Sequence, residues 1–338
     1  MTHRVALIGY GLAGKAFHAP LINAVSGLEL TTIVSSREDE IHSDHPRVQI
    51  RSRLEDVLAD PEIELVVIAS PDHVHGAQAI AALNAGKHVV IDKPFAPTLI
   101  EARAIAACAH DRGRLLSVFH NRRWDADFLT LCKQTAAGEL GTIREIESRF
   151  DRFRPVAGTR WKDQRVGGVW QDLGPHLVDQ MLVLLGAPLG VTADLAILRP
   201  GGQAIDHAQV ILRYPACRVM LHISQSLVDH GLRFAVHGTR ASFVKHGIDP
   251  QEEQSKAGML PSDARWGIDP QPANLKRADG EIMQIVPERG DYAAYYRAIA
   301  AALSGTGPLP VTADDALNVM EVIAAGITSS SERREILI

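Results

Sequence analysis

The chain has 338 residues, of which 46% are hydrophobic and 22% charged, and its formal net charge is −5. This length exceeds what one hydrophobic core usually supports, so two domains are expected. The acidic balance argues against a nucleic-acid binder or a membrane-surface protein, since both would carry a basic stripe. Cys108, Cys132 and Cys217 show no CxxC spacing, which favours packed thiols over disulfides or a thiolate metal site. Without a signal-peptide pattern or a membrane-spanning run, a cytoplasmic location is expected.

Strand and helix patterns alternate through the first third of the chain. Apolar strand-like runs occur in RVALIGYG, LELTTIVSS, ELVVIAS, HVVIDKP and RLLSVFH, and helical periodicity fills the segments between them. The helix limits come from capping boxes at Ser52–Glu55 and Thr98–Glu101 and from stop glycines at Gly86 and Gly113. Strands separated by helices require crossovers, so this part predicts an α/β fold with a doubly wound parallel sheet.

The rest of the chain has a different pattern. TIREIESRFDRF, AQVILRYPACRVMLHISQS and LRFAVHGTRASFVKHG alternate apolar and polar residues, as expected of an antiparallel sheet with one buried face. A helix is predicted to begin near Asp172, another to end at Gly326, and residues 249–289 to form loops. We therefore expect a dinucleotide-binding domain over 1–122 and a substrate-binding and oligomerisation domain over 123–338. The helix of about 312–326 is expected to pack back on the first domain.

The first strand leads into a glycine-rich loop. Gly9, Gly11 and Gly14 form G-x-G-x-x-G around Leu12 and Ala13, between a strand and a helix. In that position the backbone can approach a pyrophosphate closely, and the N-terminus of the helix presents free N–H groups to it. The loop therefore predicts a dinucleotide site.

The end of the second strand bears on the choice between NADP and NAD. Enzymes selective for NAD usually carry an acid there, whereas this chain has Ser35, Ser36 and Arg37, whose hydroxyls and guanidinium suit a 2′-phosphate. NADP is therefore favoured. NAD remains open because the acids Glu38, Asp39 and Glu40 follow directly.

Three further strand ends carry polar residues. SPDHVH (70–75) and DKP (92–94) follow two strands, and ligands of open parallel sheets bind at such carboxyl ends. Lys93 is therefore a candidate for the same crevice as the glycine loop. Asn121 and Arg122 follow RLLSVFH and either line the substrate site or make structural contacts.

The segment GGVWQDLGPHLVDQ (167–180) allows three interpretations. Asp172 could cap a helix whose first turn holds Pro175, with His176 as a satisfied core residue. A metal site would need further ligands that the spacing does not offer. In the third interpretation His176 is an acid/base group, since its pKa is naturally near neutrality, and Asp172 orients it.

As a set, GYGLAG, SPDHVH, GKHVVIDKP and the Asp172/His176 helix resemble the glucose–fructose oxidoreductase/inositol dehydrogenase (Gfo/Idh/MocA) family. VFHNRRWDADFLTL and FDRFRP further resemble its NADP-dependent scyllo-inositol dehydrogenase branch. The resemblance implies a Rossmann domain followed by an α+β domain with an open, mostly antiparallel sheet that commonly forms the oligomer interface. Asp92 stands where the family usually has Glu, and Asp72 where Asn is common.

By the same resemblance, Lys93, Asp172 and His176 match the catalytic set. Together with the strand-end positions, this predicts cofactor contacts for Ser70, Pro71, His73, His75, Lys93, Arg160 and Trp161, and substrate contacts for Lys93, Asn121, Arg122, Asp172 and His176. The expected reaction is hydride transfer between a secondary alcohol of a cyclic polyol or sugar and NADP, in a homodimer or homotetramer. Two alternatives remain: a non-catalytic regulator responsive to NADP or a sugar, and an enzyme acting on a keto-sugar or dihydrodiol.

Overall fold

The computed structural model describes residues 2–158 and 167–338. The described chain divides into two compact units. Unit 1 comprises Met1–Trp124, Gln251–Gly267 and Asp291–Leu317, and unit 2 comprises Asp125–Pro250, Ile268–Gly290 and Asn318–Ile338.

The strands, in chain order, are β1 (His3–Ile8), β2 (Leu28–Val34), β3 (Gln49–Arg51), β4 (Leu65–Ile68), β5 (His88–Ile91), β6 (Leu116–Val118), β7 (Ile143–Arg149), β8 (Gly190–Ala196), β9 (His207–Arg213), β10 (Arg218–Ser224), β11 (Leu232–Gly238), β12 (Ala241–His246), β13 (Ala273–Arg277), β14 (Ile282–Ile285) and β15 (Ile336–Leu337). The α-helices are α1 (Ala19–Asn23), α2 (Glu38–Asp44), α3 (Leu54–Leu58), α4 (His75–Asn84), α5 (Leu99–Asp111), α6 (Ala126–Ala136), α7 (Gly168–Leu185), α8 (Gln251–Lys256), α9 (Ala293–Leu303) and α10 (Ala313–Glu332). A π-helical turn, Gly14–His18, leads directly into α1.

Unit 1 contains a six-stranded sheet in the order β3-β2-β1-β4-β5-β6, and every neighbouring pair is parallel. The predicted doubly wound parallel sheet is confirmed. Its order reverses direction beside β1, where β2 lies on one side and β4 on the other. Ligands of such sheets bind at this switch point, beyond the carboxyl ends of the strands.

The predicted limits of α4 and α5 in this unit are confirmed, whereas the predicted start of α3 is wrong. Thr98 caps α5, since its Oγ1 accepts a hydrogen bond of 3.2 Å from the backbone N–H of Glu101, and Gly86 and Gly113 follow α4 and α5 with positive φ. The capping box predicted at Ser52–Glu55 is wrong. Arg53 precedes α3 instead and makes no side-chain capping bond.

Unit 2 is built on a nine-stranded sheet in the order β14-β13-β12-β11-β7-β10-β9-β8-β15. It is antiparallel apart from β7 and β10, which run parallel, so the prediction of a mostly antiparallel sheet is confirmed. One face of this sheet is covered by α7. The hydrophobic core on that face includes Trp170, Leu177 and Met181 of α7 and Ile146, Val210 and Leu221 of the sheet. α7 thus lies along the covered face of the sheet.

The prediction of loops over residues 249–289 is wrong. The segment contains α8 and the hairpin of β13 and β14, and β13 pairs with β12 so that Leu275 lies opposite Phe243. Leu275 is 1% exposed, because the hairpin extends the buried face of the sheet. The Gly, Pro and Asp residues of this segment form its turns, and their abundance obscured the sequence pattern of the two short strands.

Two helix ends also differ from prediction, both around Trp170. α7 begins at Gly168 rather than near Asp172, so Pro175 lies inside the helix, and α10 continues past Gly326 to Glu332. A Cβ on Gly174 or Gly326 would lie 2.7 Å and 3.0 Å from ring atoms of Trp170. These glycines therefore make room for a fully buried indole, whose Nε1 donates to the Ile323 carbonyl oxygen at 3.1 Å.

No helix among residues 2–158 and 167–338 is long and apolar enough to cross a membrane.

Candidate active site

Two glycines of the loop after β1 are required by close packing. Gly9 has φ +97°, and a Cβ there would lie 2.7 Å from the carbonyl oxygen of Ala69, just after β4. A Cβ on Gly14 would lie 2.2 Å from the carbonyl oxygen of Gly9. Both distances are shorter than real Cβ contacts, so side chains are excluded where the loop packs against β4 and where the helix packs against the loop.

Gly11 is different, because a Cβ there would meet no protein atom within 4 Å. The neighbouring Leu12 is 60% exposed, and the backbone N–H of Lys15 bonds to the Gly11 carbonyl oxygen at 2.9 Å, opening the helix. Packing within the chain does not explain this glycine, whereas close approach of a phosphate to its main chain does. The loop therefore fits the pyrophosphate of a dinucleotide.

Two cations, Arg37 after β2 and Lys15 in the turn Gly14–His18, share one acid. Arg37 and Lys15 contact Glu40 at 3.2 Å and 2.8 Å, and Lys15 also contacts Asp44 at 3.0 Å. These cations lower the pKa of Glu40. The hydroxyl of Tyr10 donates to Asp44 at 2.9 Å, which connects the glycine loop to α2. Arg37 is more than half exposed and is available to an anion that displaces Glu40.

Ser35 and Ser36 precede Arg37 at the same edge of the sheet. The Ser35 hydroxyl accepts a hydrogen bond of 3.2 Å from the backbone N–H of Arg37, so it shapes the turn in addition to offering an oxygen to a ligand. Ser36 is exposed. This local bond holds the Arg37 main chain directly after the strand.

His75 connects the ends of β4 and β5. Its ring is buried, and its Nε2 lies 2.9 Å from the carbonyl oxygen of Ser70 while Nδ1 lies 3.1 Å from that of Pro94. The Ser70 hydroxyl donates to Gln78 in α4 at 2.6 Å. Pro71 and His73, which belong to the same predicted set, are exposed. His75 thus packs between two of the predicted cofactor-binding segments, with its ring N–H able to donate to a carbonyl oxygen of one of them.

Lys93 follows β5 at this sheet edge and is partly exposed. The Asp92 carboxylate accepts a hydrogen bond of 2.8 Å from the backbone N–H of Lys93, and the Lys93–Pro94 peptide bond is cis. Burial by itself would raise the pKa of Asp92, but His18, Lys93 and His75 together lower it below its ordinary value. Asp92 is therefore a charged carboxylate directly before the lysine.

His18 was not predicted, yet it lies beside this carboxylate. Its ring is fully buried, with Nε2 3.6 Å from Asp92 Oδ1 and Nδ1 2.6 Å from the hydroxyl oxygen of Tyr296 in α9. The available signal was a histidine shortly after the glycine loop. Nothing local in the sequence pairs it with residues so distant along the chain.

The residues after β6 are buried. Asn121 and Arg122 open a short 3₁₀ turn, and the Arg122 guanidinium forms an ion pair with Glu252 of α8. This contact corresponds to the structural alternative for Arg122, although a role in substrate binding stays a prediction. The next residue, Arg123, donates to the Pro310 carbonyl oxygen at 3.0 Å.

In unit 2, Asp172 and His176 lie within α7 rather than at its start. A spacing of four residues puts them on one face of the helix, one turn apart. The capping role considered for Asp172 is therefore wrong, since the helix begins at Gly168. His176 is buried and Asp172 is partly exposed. This is the spacing in which a carboxylate can orient an imidazole.

The same face of α7 is anchored one turn further on. The buried Arg233 donates hydrogen bonds to the Gln180 side chain and to Ser148 Oγ, the latter at 2.9 Å. Its guanidinium also lies 3.3 Å from the Asp127 carboxylate.

Arg160 and Trp161, which were also predicted to touch the cofactor, lie outside the described residues. Within the described ranges no group of three or more His, Cys, Asp or Glu side chains could hold a metal ion.

Two family profiles together match most of the chain. Residues 3–120 match the profile described as "Oxidoreductase family, NAD-binding Rossmann fold", and residues 133–338 match its "C-terminal alpha/beta domain". The chain belongs to the Gfo/Idh/MocA oxidoreductase family. It is 49% identical over 337 residues to the oxidoreductase YdgJ of Escherichia coli, covering 98% of this chain and 97% of that protein.

Two further relatives of this Gfo/Idh/MocA protein bear on its function and fold. It is 36% identical to the NADP(+)-dependent scyllo-inositol 2-dehydrogenase IolW of Bacillus subtilis, over 100% of this chain and 96% of that protein. The solved structure of the YPO2259 oxidoreductase from Yersinia pestis superposes with a TM-score of 0.97 at 45% identity, covering 100% of this chain and 97% of that one.

Proposed function

We propose that this oxidoreductase is an NADP-preferring dehydrogenase that acts on a secondary alcohol of a cyclic polyol or sugar. The observation that carries the proposal is Lys93 at the end of β5, on the sheet edge that also presents the glycine loop. The identity to IolW along the full chain supports the substrate class.

The roles of the residues follow from their chemistry. His176 accepts the proton of the reacting hydroxyl, because an imidazole combines suitable basicity with a position beside an orienting acid, Asp172. Lys93, as an ammonium, stabilises the negative charge that develops on the same oxygen. When bound, the nicotinamide supplies the acceptor or donor of hydride. Asn121 and Arg122 are proposed to contact the remaining hydroxyls of the substrate.

The preference for NADP rests on the end of β2. Arg37 and the Ser35 and Ser36 hydroxyls suit a 2′-phosphate, and the pairing of Glu40 with Arg37 and Lys15 leaves that acid less free to accept a bond from an unphosphorylated ribose. Side-by-side titrations with NADPH and NADH test this preference. Equal or tighter binding of NADH would overturn it.

Activity is tested with a panel of inositols and aldoses and both oxidised cofactors, followed by the absorbance of reduced nicotinamide. Lys93→Ala should lower turnover by at least about 100-fold, as expected on loss of an electrostatic stabiliser, and leave NADPH binding nearly intact. Lys276→Ala, at an exposed position of β13, is the control for removing a lysine. Turnover near the wild-type level in Lys93→Ala would refute the role of Lys93.

The same panel, extended to keto-sugars with NADPH and to dihydrodiols with NADP, also separates the alternatives. Tight NADPH and sugar binding without any absorbance change favours a regulator. Turnover restricted to keto-sugars or dihydrodiols replaces the polyol assignment.

We also propose a cytoplasmic homodimer or homotetramer that associates through the outer face of the nine-stranded sheet. The three free cysteines suit a reducing compartment, and Ile211 and Met220 are only partly buried on that face. Sedimentation equilibrium of the wild-type chain against an Ile211→Glu, Met220→Glu variant tests the assembly. A monomeric wild-type protein would refute it.

A further inference from the structure

We propose that His18 is a positioning residue for Lys93: its imidazole holds the Asp92 carboxylate, and Asp92 in turn holds the main chain of Lys93. The inference rests on the proposed function insofar as Lys93 is the group being positioned. It adds to the site a histidine that follows the glycine loop and that sequence patterns did not indicate.

The His18 ring is confined by its surroundings. It ends the π-helical turn Gly14–His18, and such turns occur frequently at functional sites. The ring is 0% exposed, with its centroid 4.5 Å from that of Phe119 and 6.1 Å from that of Tyr296. A ring packed in this way cannot leave its position without opening the core of unit 1.

Asp92 and Tyr296 together select the tautomer of the neutral His18 ring, since the Asp92 carboxylate can only accept a hydrogen bond whereas the Tyr296 hydroxyl can donate one. Burial raises the pKa of Tyr296 well above its ordinary value, so the hydroxyl stays protonated and can donate to Nδ1, 2.6 Å away. The proton of the neutral imidazole then lies on Nε2, the nitrogen that faces Asp92. An apolar ring would pack equally well against Phe119, but only an imidazole can both accept from Tyr296 and present an N–H to a carboxylate.

The same carboxylate oxygen connects His18 to Lys93. Asp92 Oδ1 lies 3.6 Å from His18 Nε2, an electrostatic contact longer than a hydrogen bond, and accepts the backbone N–H of Lys93 at 2.8 Å. Any movement of the carboxylate therefore changes the direction in which the Lys93 side chain leaves the strand. A misplacement of about 1 Å at a reacting group can cost about 100-fold in rate.

The ionisable groups that act on Asp92 come from several elements. They are His18 from the π turn, Lys93 from its own segment, His75 from α4, and Tyr295 and Tyr296 from α9. His18 makes the largest favourable contribution to the charged carboxylate, and burial opposes it. Removing His18 should therefore raise the pKa of Asp92.

The experiment compares His18→Phe, Asp92→Asn and the double variant, with His3→Phe as the matched control. His3 is also a buried histidine of unit 1, but it contacts Glu64 and Ser304. His18→Phe and Asp92→Asn should each lower kcat between about tenfold and 100-fold with the Kd for NADPH unchanged, because each displaces Lys93. Because they act through one carboxylate, the double variant should be no slower than Asp92→Asn alone. Additive losses would overturn the proposal, as would a fall in kcat in His3→Phe that equals that in His18→Phe.

A second measurement needs no turnover, so it separates this proposal from the proposed function. The unfolding free energy is measured against pH for the wild type and for His18→Phe. Each is compared with the same protein carrying Asp92→Asn, and the difference isolates the titration of Asp92. With His18 present, the folded pKa of Asp92 is depressed, so its stabilising contribution persists until the pH falls through that low value. In His18→Phe this contribution should be lost at a higher pH. An unchanged Asp92 titration refutes the positioning role even in an active enzyme, while a shifted titration in a protein without hydride transfer refutes only the proposed reaction.

Discussion

The glycine loop offers a test in which two similar substitutions have opposite consequences. Gly14→Ala places a methyl carbon 2.2 Å from the Gly9 carbonyl oxygen, whereas real Cβ contacts are essentially never below 3.0 Å, so the main chain must move by about 0.8 Å. Overpacking of this kind costs about 1–3 kcal/mol, and we expect the upper part of that range because a backbone oxygen cannot rotate away. At about 2–4 °C per kcal/mol, the thermal midpoint should fall by several degrees.

Gly11→Ala adds the same methyl group where no protein atom lies within 4 Å, and Gly11 is not among the residues with positive φ. The folded protein should therefore keep its stability or gain about 0.4–1 kcal/mol, because alanine restricts the unfolded chain. The methyl group occupies the approach to the loop backbone, so NADPH binding should weaken at least about tenfold, or about 1.4 kcal/mol.

The assays are thermal unfolding without ligand and fluorescence titration with NADPH. A Gly14→Ala variant as stable as the wild type would refute the packing argument. A Gly11→Ala variant that binds NADPH normally would refute the assignment of the loop to pyrophosphate.

Three further predictions concern charged groups. Arg37→Ala should weaken NADPH binding far more than NADH binding. Glu40→Gln should strengthen NADPH binding, because Glu40 competes with the 2′-phosphate for Arg37. Parallel titrations with the two cofactors check both predictions, and equal changes for the two cofactors would contradict them. In unit 2, the pKa of Asp151 is lowered by His222 and Arg149 against the effect of burial. Its contribution to stability is present above the ordinary pKa of an aspartate and is lost as the pH falls through the depressed folded value. Asp151→Asn should therefore flatten the acid limb of the unfolding free energy measured in urea between about pH 5 and 2; a limb as steep as in the wild type would contradict this.

The features that could be predicted from the sequence depend on short stretches of chain. The glycine loop, Thr98 with Glu101, and the strand that leads to Lys93 are each specified within a few residues, and a parallel sheet brings such strand ends to one edge whatever the loops do. The fold class followed from the same alternation of strand and helix. The membership of Lys93, Asp172 and His176 in one site remains a prediction.

The features that were missed depend on contacts between distant segments. The start of α7 was misplaced because Pro175 resembles a first-turn residue, whereas the helix begins earlier, where a Cβ on Gly168 would lie 2.0 Å from the Ile205 carbonyl oxygen. Gly326 resembles a helix stop but accommodates Trp170. His18 has a partner 278 residues away in Tyr296. None of these relations has a local pattern from which it could be inferred.

The position of the His75 ring between two strand ends has a consequence for engineering this oxidoreductase. Since one buried ring packs against the carbonyl oxygens of both Ser70 and Pro94, residues 70–75 and 92–95 should be exchanged between homologues as a single block. Chimeras that take one segment from each parent would combine a ring from one protein with a carbonyl position from the other. Recombination libraries that keep the two segments from the same parent should retain more active members than libraries that separate them.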